Sequence, residues 1–105
     1  MEWTVEQGRI CSRDESGEVI AEATFHEKAN GDYDIDHTYV VPQLRGRGVA
    51  DDMMTAVAEH FRNNKNRVTA SCSYANAWFK THRAEYADII SNELENETPA
   101  CRIPR

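Results

Sequence analysis

The chain has 105 residues, 40% of them hydrophobic, and its 12 basic and 18 acidic side chains give a formal net charge of -6. A chain of this length builds one small core, so we expect a single domain whose functional site shares residues with that core. The acidic balance excludes a general nucleic-acid binder, because such proteins hold the phosphate backbone with a basic field.

The sequence indicates neither a membrane protein nor a secreted one. Its apolar runs are too short for a transmembrane helix, and its first residues lack the basic and then apolar layout of a signal peptide. Cys11, Cys72 and Cys101 are odd in number and far apart, which suits free thiols better than disulfides or a metal site. We therefore expect a cytoplasmic protein without a metal ion or a membrane partner, as a monomer or weak dimer.

Antiparallel strands are predicted in the first third of the chain. The expected strands are Arg9–Ser12, Glu18–Glu27 and Tyr33–Val41, and Asn30-Gly31 between the last two is a hairpin signal. Within the third strand, four alternating residues are expected to share one face: Tyr33, Ile35, His37 and Tyr39. The alternating Asp32, Asp34 and Asp36 would then place three carboxylates on the other face.

The second half of the chain changes to a helical period. Val49, Met53, Val57 and Phe61 recur every four residues and predict a helix that opens at Gly48 and ends at residues 63–66. A strand is expected at Arg67–Tyr74, with Cys72 and Tyr74 on the face of Val68 and Ala70, and a second helix at Ala75–Ser91. Residues 1–91 are thus predicted to form the domain, and the polar residues 92–105 a flexible tail.

Strand, loop, helix and strand in this order form a βαβ unit, whose two strands run parallel with a right-handed crossover. Ligands of open α/β sheets bind at the carboxyl ends of such strands. The loop after Val41 and the segment around Cys72 are therefore expected to meet at one edge, although they are distant in sequence.

The loop Gln43 to Gly48, "QLRGRG", has the composition of a phosphate site. A helix start leaves backbone N–H groups unpaired, and glycines let the backbone curve closely around a ligand. Arg45 and Arg47 add forked donors that match phosphate oxygens. A Walker loop is excluded because Gly48 is followed by Val49 and Ala50, but an ordinary glycine-rich surface turn remains an alternative.

These residues match the Gln/Arg-x-x-Gly-x-Gly/Ala signature, and the chain thereby resembles the GNAT superfamily of acetyl-CoA-dependent N-acetyltransferases. The segments "DHTYVVPQLRGRGVADDMM" and "CSYANAWFKTHRAEYADII" extend the match. They resemble a small, truncated, cysteine-containing subgroup, from which this chain departs by lacking a proline before Tyr86. Together the segments span Asp36 to Ile90, roughly half of the chain.

The resemblance implies a minimal GNAT-like α/β (α+β) fold, with antiparallel N-terminal strands leading into a βαβ unit and a closing C-terminal helix. It also implies acetyl-CoA as the co-substrate. The pantetheine arm would be held by the backbone of Val40 and Val41, and Asn76 and Phe79 would border the coenzyme. The pyrophosphate would be bound by the loop residues Gln43, Leu44, Arg45, Gly46, Arg47 and Gly48.

Acetyl transfer to an amine needs a neutral nucleophile, a polarised thioester and a proton for the leaving thiolate. Cys72 is a candidate to accept the acetyl group, to protonate the thiolate or only to line the pocket. His37 is a candidate base, with a structural histidine as the alternative. Tyr74 is a candidate acid, since enzymes of this superfamily often use a tyrosine hydroxyl.

The function expected from the sequence is acetyl transfer from acetyl-CoA to an amine of unknown identity. A short chain has little material for an acceptor pocket, which favours a protein or peptide amine that docks from outside. The alternative is a coenzyme A or acyl-CoA binding module with little or no turnover.

Overall fold

A computed structural model describes residues 2–91, so Met1, the predicted tail at 92–105 and Cys101 lie outside the described residues. One sheet contains five strands, and three helices follow or interrupt it. The strands are β1 (Thr4–Glu6), β2 (Arg9–Arg13), β3 (Val19–Glu27), β4 (Tyr33–Val40) and β5 (Val68–Ala70). The helices are α1 (Val49–Asn63), α2 (Ser73–Thr81) and α3 (Arg83–Tyr86), with a short 3-10 turn at Pro42–Leu44.

The sheet follows chain order, β1-β2-β3-β4-β5. The first three pairs are antiparallel and only β4 with β5 is parallel, because α1 carries the chain back across the sheet between them. The expected α/β architecture of antiparallel strands ahead of a βαβ unit is confirmed. The edge strand β1 was not predicted, since two of its three residues are exposed and give no apolar alternation.

The hydrophobic core lies between one face of the sheet and the helices. The strands contribute Ile10, Ala21, Ala23 and Ile35, and α1 contributes its stripe of Met53, Met54, Val57, Ala58 and Phe61. The predicted helix stripe is confirmed, including the opening at Gly48, which caps α1. Trp78 of α2 donates its indole N–H to the carboxylate of Asp51 at 2.7 Å, which fixes α2 beside α1 on the same face.

A β-bulge in β4 corrects the predicted face of this strand. Thr24 of β3 pairs with His37, but the next residue, Phe25, pairs with Ile35, so Asp36 is an extra residue in β4. Because a bulge shifts the alternation by one residue, Tyr33 and Ile35 face the core whereas His37 and Tyr39 face outward. The prediction that these four side chains share one face is wrong for the second pair.

Two further expectations change at β5. The strand ends at Ala70 instead of continuing to Tyr74, and Cys72 caps α2, so Tyr74 is helical. The single helix predicted at Ala75–Ser91 is interrupted at His82. Beyond α3 the chain pairs with β5, because the Val68 N–H donates to the Ile89 carbonyl at 2.7 Å and the Ser91 N–H donates to the Val68 carbonyl at 2.9 Å, so the helix does not continue to Ser91.

Polar contacts fasten α3 to α1. The guanidinium of Arg62 donates to both carboxylate oxygens of Asp88, at 2.9 and 2.8 Å, and lies 4.6 Å from the centre of the Tyr86 ring. The Tyr86 hydroxyl donates to the Glu59 carboxylate at 3.0 Å. Burial, followed by this hydrogen bond, raises the pKa of Tyr86 from 10.0 to about 12.

The raised pKa of Tyr86 predicts a specific alkaline loss of stability. The folded protein holds the phenolic proton more tightly than the unfolded chain, so this stabilisation is complete below pH 10 and is lost as the pH rises toward about 12. We expect urea unfolding to show the wild type losing about 1 to 2 kcal/mol relative to Tyr86→Phe between pH 10 and 12.

At neutral pH, Tyr86→Phe should be less stable by about 0.5 to 1.5 kcal/mol, because the bond to Glu59 is lost. Tyr39→Phe is the matched control, since Tyr39 is exposed on the outer face, and it should unfold like the wild type at neutral pH. Parallel stability curves for the wild type and Tyr86→Phe up to pH 12 would contradict the prediction.

Candidate functional site

The carboxyl ends of β4 and β5 separate and leave a gap in the sheet. The two strands pair in register only from Tyr33 with Val68 to Ile35 with Ala70. The Cys72 N–H donates to the Ile35 carbonyl at 3.1 Å, after which the chain turns into α2. Beyond this bond β4 continues to Val40 without β5 beside it.

The backbone of Val40 points toward the gap. The Val41 N–H donates to the Ile20 carbonyl at 2.9 Å, and the Val41 carbonyl accepts from the Leu44 N–H at 3.0 Å, so both groups of Val41 are engaged within the protein. Val40, the residue before Val41, is paired with Ala21 of β3. In an antiparallel pair, successive residues direct their backbone groups alternately toward and away from the neighbouring strand, so the N–H and carbonyl of Val40 point away from β3. Its carbonyl accepts from the Arg45 Nε at 2.9 Å, while its N–H faces the gap.

The loop after β4 curves tightly and opens α1. Gly46 has a φ of 80° and Gly48 one of 81°, values that would cost another residue about 1 to 2 kcal/mol. The Asp52 N–H donates to the Gly48 carbonyl at 3.0 Å, which is the first bond of the helix. The N–H groups of the preceding turn therefore have no acceptor inside α1 and can bind an anion.

Two carboxylates lie beside these N–H groups, a feature that the sequence analysis missed. Asp51 and Asp52 occupy the first turn of α1. Asp51 is turned toward α2, where it accepts from Trp78 and lies 4.0 Å from His82 Nε2. An anion at this helix start would therefore depend on Arg45 and Arg47 to offset the acidic pair.

A cavity of about 330 Å³ brings together the loop, the end of β4 and the start of α2. The predicted site residues Val40, Leu44, Arg45, Gly46, Gly48 and Tyr74 line it together with Ala50 and Asp51. Tyr74 is 42% exposed. Burial, and then the negative charge of Asp51, raise the pKa of Tyr74 above the ordinary value for tyrosine, so its hydroxyl keeps its proton at neutral pH.

Cys72 lies at the bottom of the gap. Its side chain is 4% exposed, and its Sγ atom is 3.5 Å from the hydroxyl of Thr38, with either group able to donate. The bulge brings Thr38 to this position, because it returns Thr38 to the inner face and places His37 on the outer one. Sequence reasoning missed Thr38 since the unbroken alternation would have pointed it away.

The remaining predicted site residues lie elsewhere. Asn76 and Phe79 are buried, and the Asn76 amide donates to the Ala70 carbonyl at 2.9 Å, so this side chain caps the end of β5. Gln43 lines a second cavity of about 380 Å³, together with Val41 and Leu44. Arg47 is exposed outside both cavities, and His37 is exposed on the outer face of the sheet.

The outer face next to the gap is acidic and rich in hydroxyl groups. Asp34 accepts from Thr69 at 2.8 Å and from Ser71 at 2.5 Å, and it is 3% exposed. Asp36 accepts from Thr24 and lies 2.7 Å from His26 Nδ1. The third predicted carboxylate, Asp32, belongs to the turn before β4, where it is held by Asn30.

Within residues 2–91, no group of three or more acidic, histidine or cysteine side chains is arranged to hold a metal ion. None of the helices in this range is long and apolar enough to cross a membrane.

Comparison with known proteins agrees with this arrangement of elements. The profile of the GCN5-related N-acetyl-transferase family matches residues 9–89. A solution structure from Staphylococcus aureus, described as GCN5-like, superimposes with a TM-score of 0.70 at 31% identity, over 86% of this chain and 87% of the other. No curated protein matches the sequence at a significant level. The sheet with its single parallel pair, the glycine loop and the profile match together establish that the chain belongs to the GCN5-related N-acetyltransferase family.

Proposed function

We propose that this protein transfers an acetyl group from acetyl-CoA to an amine, with the coenzyme held in the cavity between the loop and Tyr74. The cavity at the open end of the parallel strand pair carries this proposal. It combines a strand N–H facing a gap, unpaired helix N–H groups and Arg45, and Arg47 is exposed on the same loop.

Each part of the cavity suits one part of acetyl-CoA. The Val40 N–H can pair with an amide of the pantetheine arm in the way that a neighbouring strand would. The helix start with Arg45 and Arg47 can bind the pyrophosphate, because N–H dipoles and guanidinium groups favour phosphate oxygens. Gln43 and Val41, at the adjoining cavity, extend the surface available to the coenzyme.

Tyr74 is the proposed general acid. Its side chain lines the cavity, and a tyrosine hydroxyl is protonated at neutral pH, so that it can give a proton to the departing coenzyme A thiolate. Asn76 and Phe79 are buried behind this wall. The Asn76 amide stabilises the turn between β5 and α2 through its bond to the Ala70 carbonyl.

We propose that the amine enters from the outer face and attacks the thioester directly. His37 is exposed on that face near the bulge and serves as the base that receives the amine proton. Cys72 then lines the gap from the other side. A thiol becomes an effective nucleophile beside a cation or an N–H dipole, and Cys72 precedes α2 with its Sγ 3.5 Å from the Thr38 hydroxyl, so an acyl-enzyme is the route against which direct attack is tested.

The location we propose is the cytoplasm, and the acceptor a protein or peptide amine. Cys11 and Cys72 are both free thiols, as expected in a reducing compartment. On the outer face His37 and Tyr39 are exposed, which favours an amine presented by a larger molecule.

Removing the loop arginines should weaken acetyl-CoA binding. We expect isothermal titration calorimetry to give a Kd about tenfold higher for Arg45→Ala and for Arg47→Ala, because each removes a charge-assisted contact to phosphate. The affinity of both variants should also depend less on salt.

Arg67→Ala is the matched control for this experiment. It removes the same charge beside the opposite end of β5, and its affinity should equal that of the wild type. Unchanged affinity in both loop variants would refute the pyrophosphate assignment.

Replacing Tyr74 should affect chemistry rather than binding. We expect Tyr74→Phe to lower kcat by about 10²- to 10⁴-fold, the usual contribution of a general acid, with little change in the Kd for acetyl-CoA. The fall of kcat that reports Tyr74 in the wild type should lie above pH 10, since the pKa of Tyr74 is raised. An equal loss of binding and kcat would contradict the assignment.

Direct attack predicts no acetyl group on Cys72. Intact mass spectrometry after incubation with acetyl-CoA should leave the mass of the protein unchanged, and Cys72→Ser should still acetylate lysine peptides. A labile added acetyl group that is absent from Cys72→Ser would establish an acyl-enzyme instead. Coenzyme binding without turnover on peptides or polyamines would identify a binding module, and turnover on polyamines alone would contradict the acceptor class.

A further inference from the structure

A third cavity, called the aromatic cavity below, lies at the other end of the molecule, where the β1–β2 turn, the end of β3 and the end of α1 meet. Its volume is about 470 Å³. Tyr33, at the start of β4, lines it, whereas Val40 at the end of the same strand lines the loop cavity. Seven residue steps along a strand separate Tyr33 and Val40 by about 23 Å, so the two cavities are distinct.

Aromatic rings form the wall of this cavity. Phe25 contacts Phe61 edge to face with ring centres 5.0 Å apart, and Tyr33 lies 6.0 Å from Phe25 and 5.2 Å from Phe61. His60 continues the cluster at 5.0 Å from Phe61. Such a cluster presents π surface to a ligand, which attracts a cation more strongly than it attracts a neutral group.

The charges around the cavity also favour a cation. No lysine or arginine lines it, while Glu6 and Glu27 do. Glu6 is neutralised by Arg9 and Arg13, at 2.7 Å each. Glu27 is exposed and makes no ion pair with any other residue in the range 2–91, so its charge is available to a ligand.

Two histidines, His26 and His60, also line the cavity and do not change this balance of charge. Burial lowers the pKa of His60, which keeps its ring uncharged at neutral pH, and His26 lies 2.7 Å from Asp36.

From this combination we infer that the cavity is a binding site for a small organic ammonium ion, held by the rings of Phe25 and Tyr33 and by the carboxylate of Glu27. The site is separate from the acetyl-transfer site and does not depend on the proposed function.

The inference can be tested with choline and its neutral isostere, in which carbon replaces the quaternary nitrogen. In amide NMR spectra of the whole chain, choline should shift the signals of Gly8, Glu27 and Asn64 and leave those of Gly46 and Gly48 unchanged. The neutral isostere should bind about tenfold more weakly, because it lacks the cation–π and carboxylate attraction.

Two variants assign the contacts. Glu27→Gln should weaken choline binding by about threefold to tenfold, whereas Glu15→Gln, in the exposed turn before β3, should leave it unchanged. Phe25→Leu should weaken it while thermal unfolding verifies that the variant is folded.

Three results would overturn the inference. The first is equal affinity for choline and its isostere, which would indicate an apolar groove only. The second is the absence of shifts around the cavity at about 10 mM choline, an affinity too weak for a site. The third is unchanged affinity in both Glu27→Gln and folded Phe25→Leu.

Discussion

The hydrogen bond from the Cys72 N–H to the Ile35 carbonyl is the point on which the rest of the site depends. It follows the last strand pair, Ile35 with Ala70, and the residues proposed for the chemistry lie beyond it. If β5 continued in register, its backbone would pair with Val40 and close the gap. The early turn into α2 instead leaves a strand edge exposed, which another extended molecule can occupy.

Two features keep the gap open. The Asn76 amide bonds to the Ala70 carbonyl, so the last residue of β5 is satisfied without a further strand partner. The indole of Trp78 bonds to Asp51 and holds α2 against the beginning of α1. The start of α1 and α2 are therefore held together by internal contacts, and such preorganisation suits the proposed transferase site.

The bulge at Asp36 decides which residues of β4 lie on each face of the sheet. It turns Thr38 toward Cys72 on the helix side and His37 toward the outer face, and the proposed reaction uses these two sides of the gap for the coenzyme and the amine. The aromatic cavity at the start of β4 uses the part of this strand before the bulge. The two ends of β4 thus border the two proposed sites in a chain of 105 residues.

The sequence by itself determined the elements whose signals are local: the hairpin strands, the stripe of α1, the order that makes the βαβ unit, and the glycine–arginine loop at a helix start. The spacing of residue types along the chain predicts these elements directly, because each depends on residues that are close in sequence. Only the tertiary structure decided the bulge, the short β5 and the end of the last helix before Ser91, because each is set by pairing with distant residues such as Phe25, Ile35 and Ile89. For the same reason the sequence suggested Cys72 and Tyr74 as neighbours on one strand face. The structure separates them into a buried thiol below the gap and a hydroxyl on the wall of the cavity.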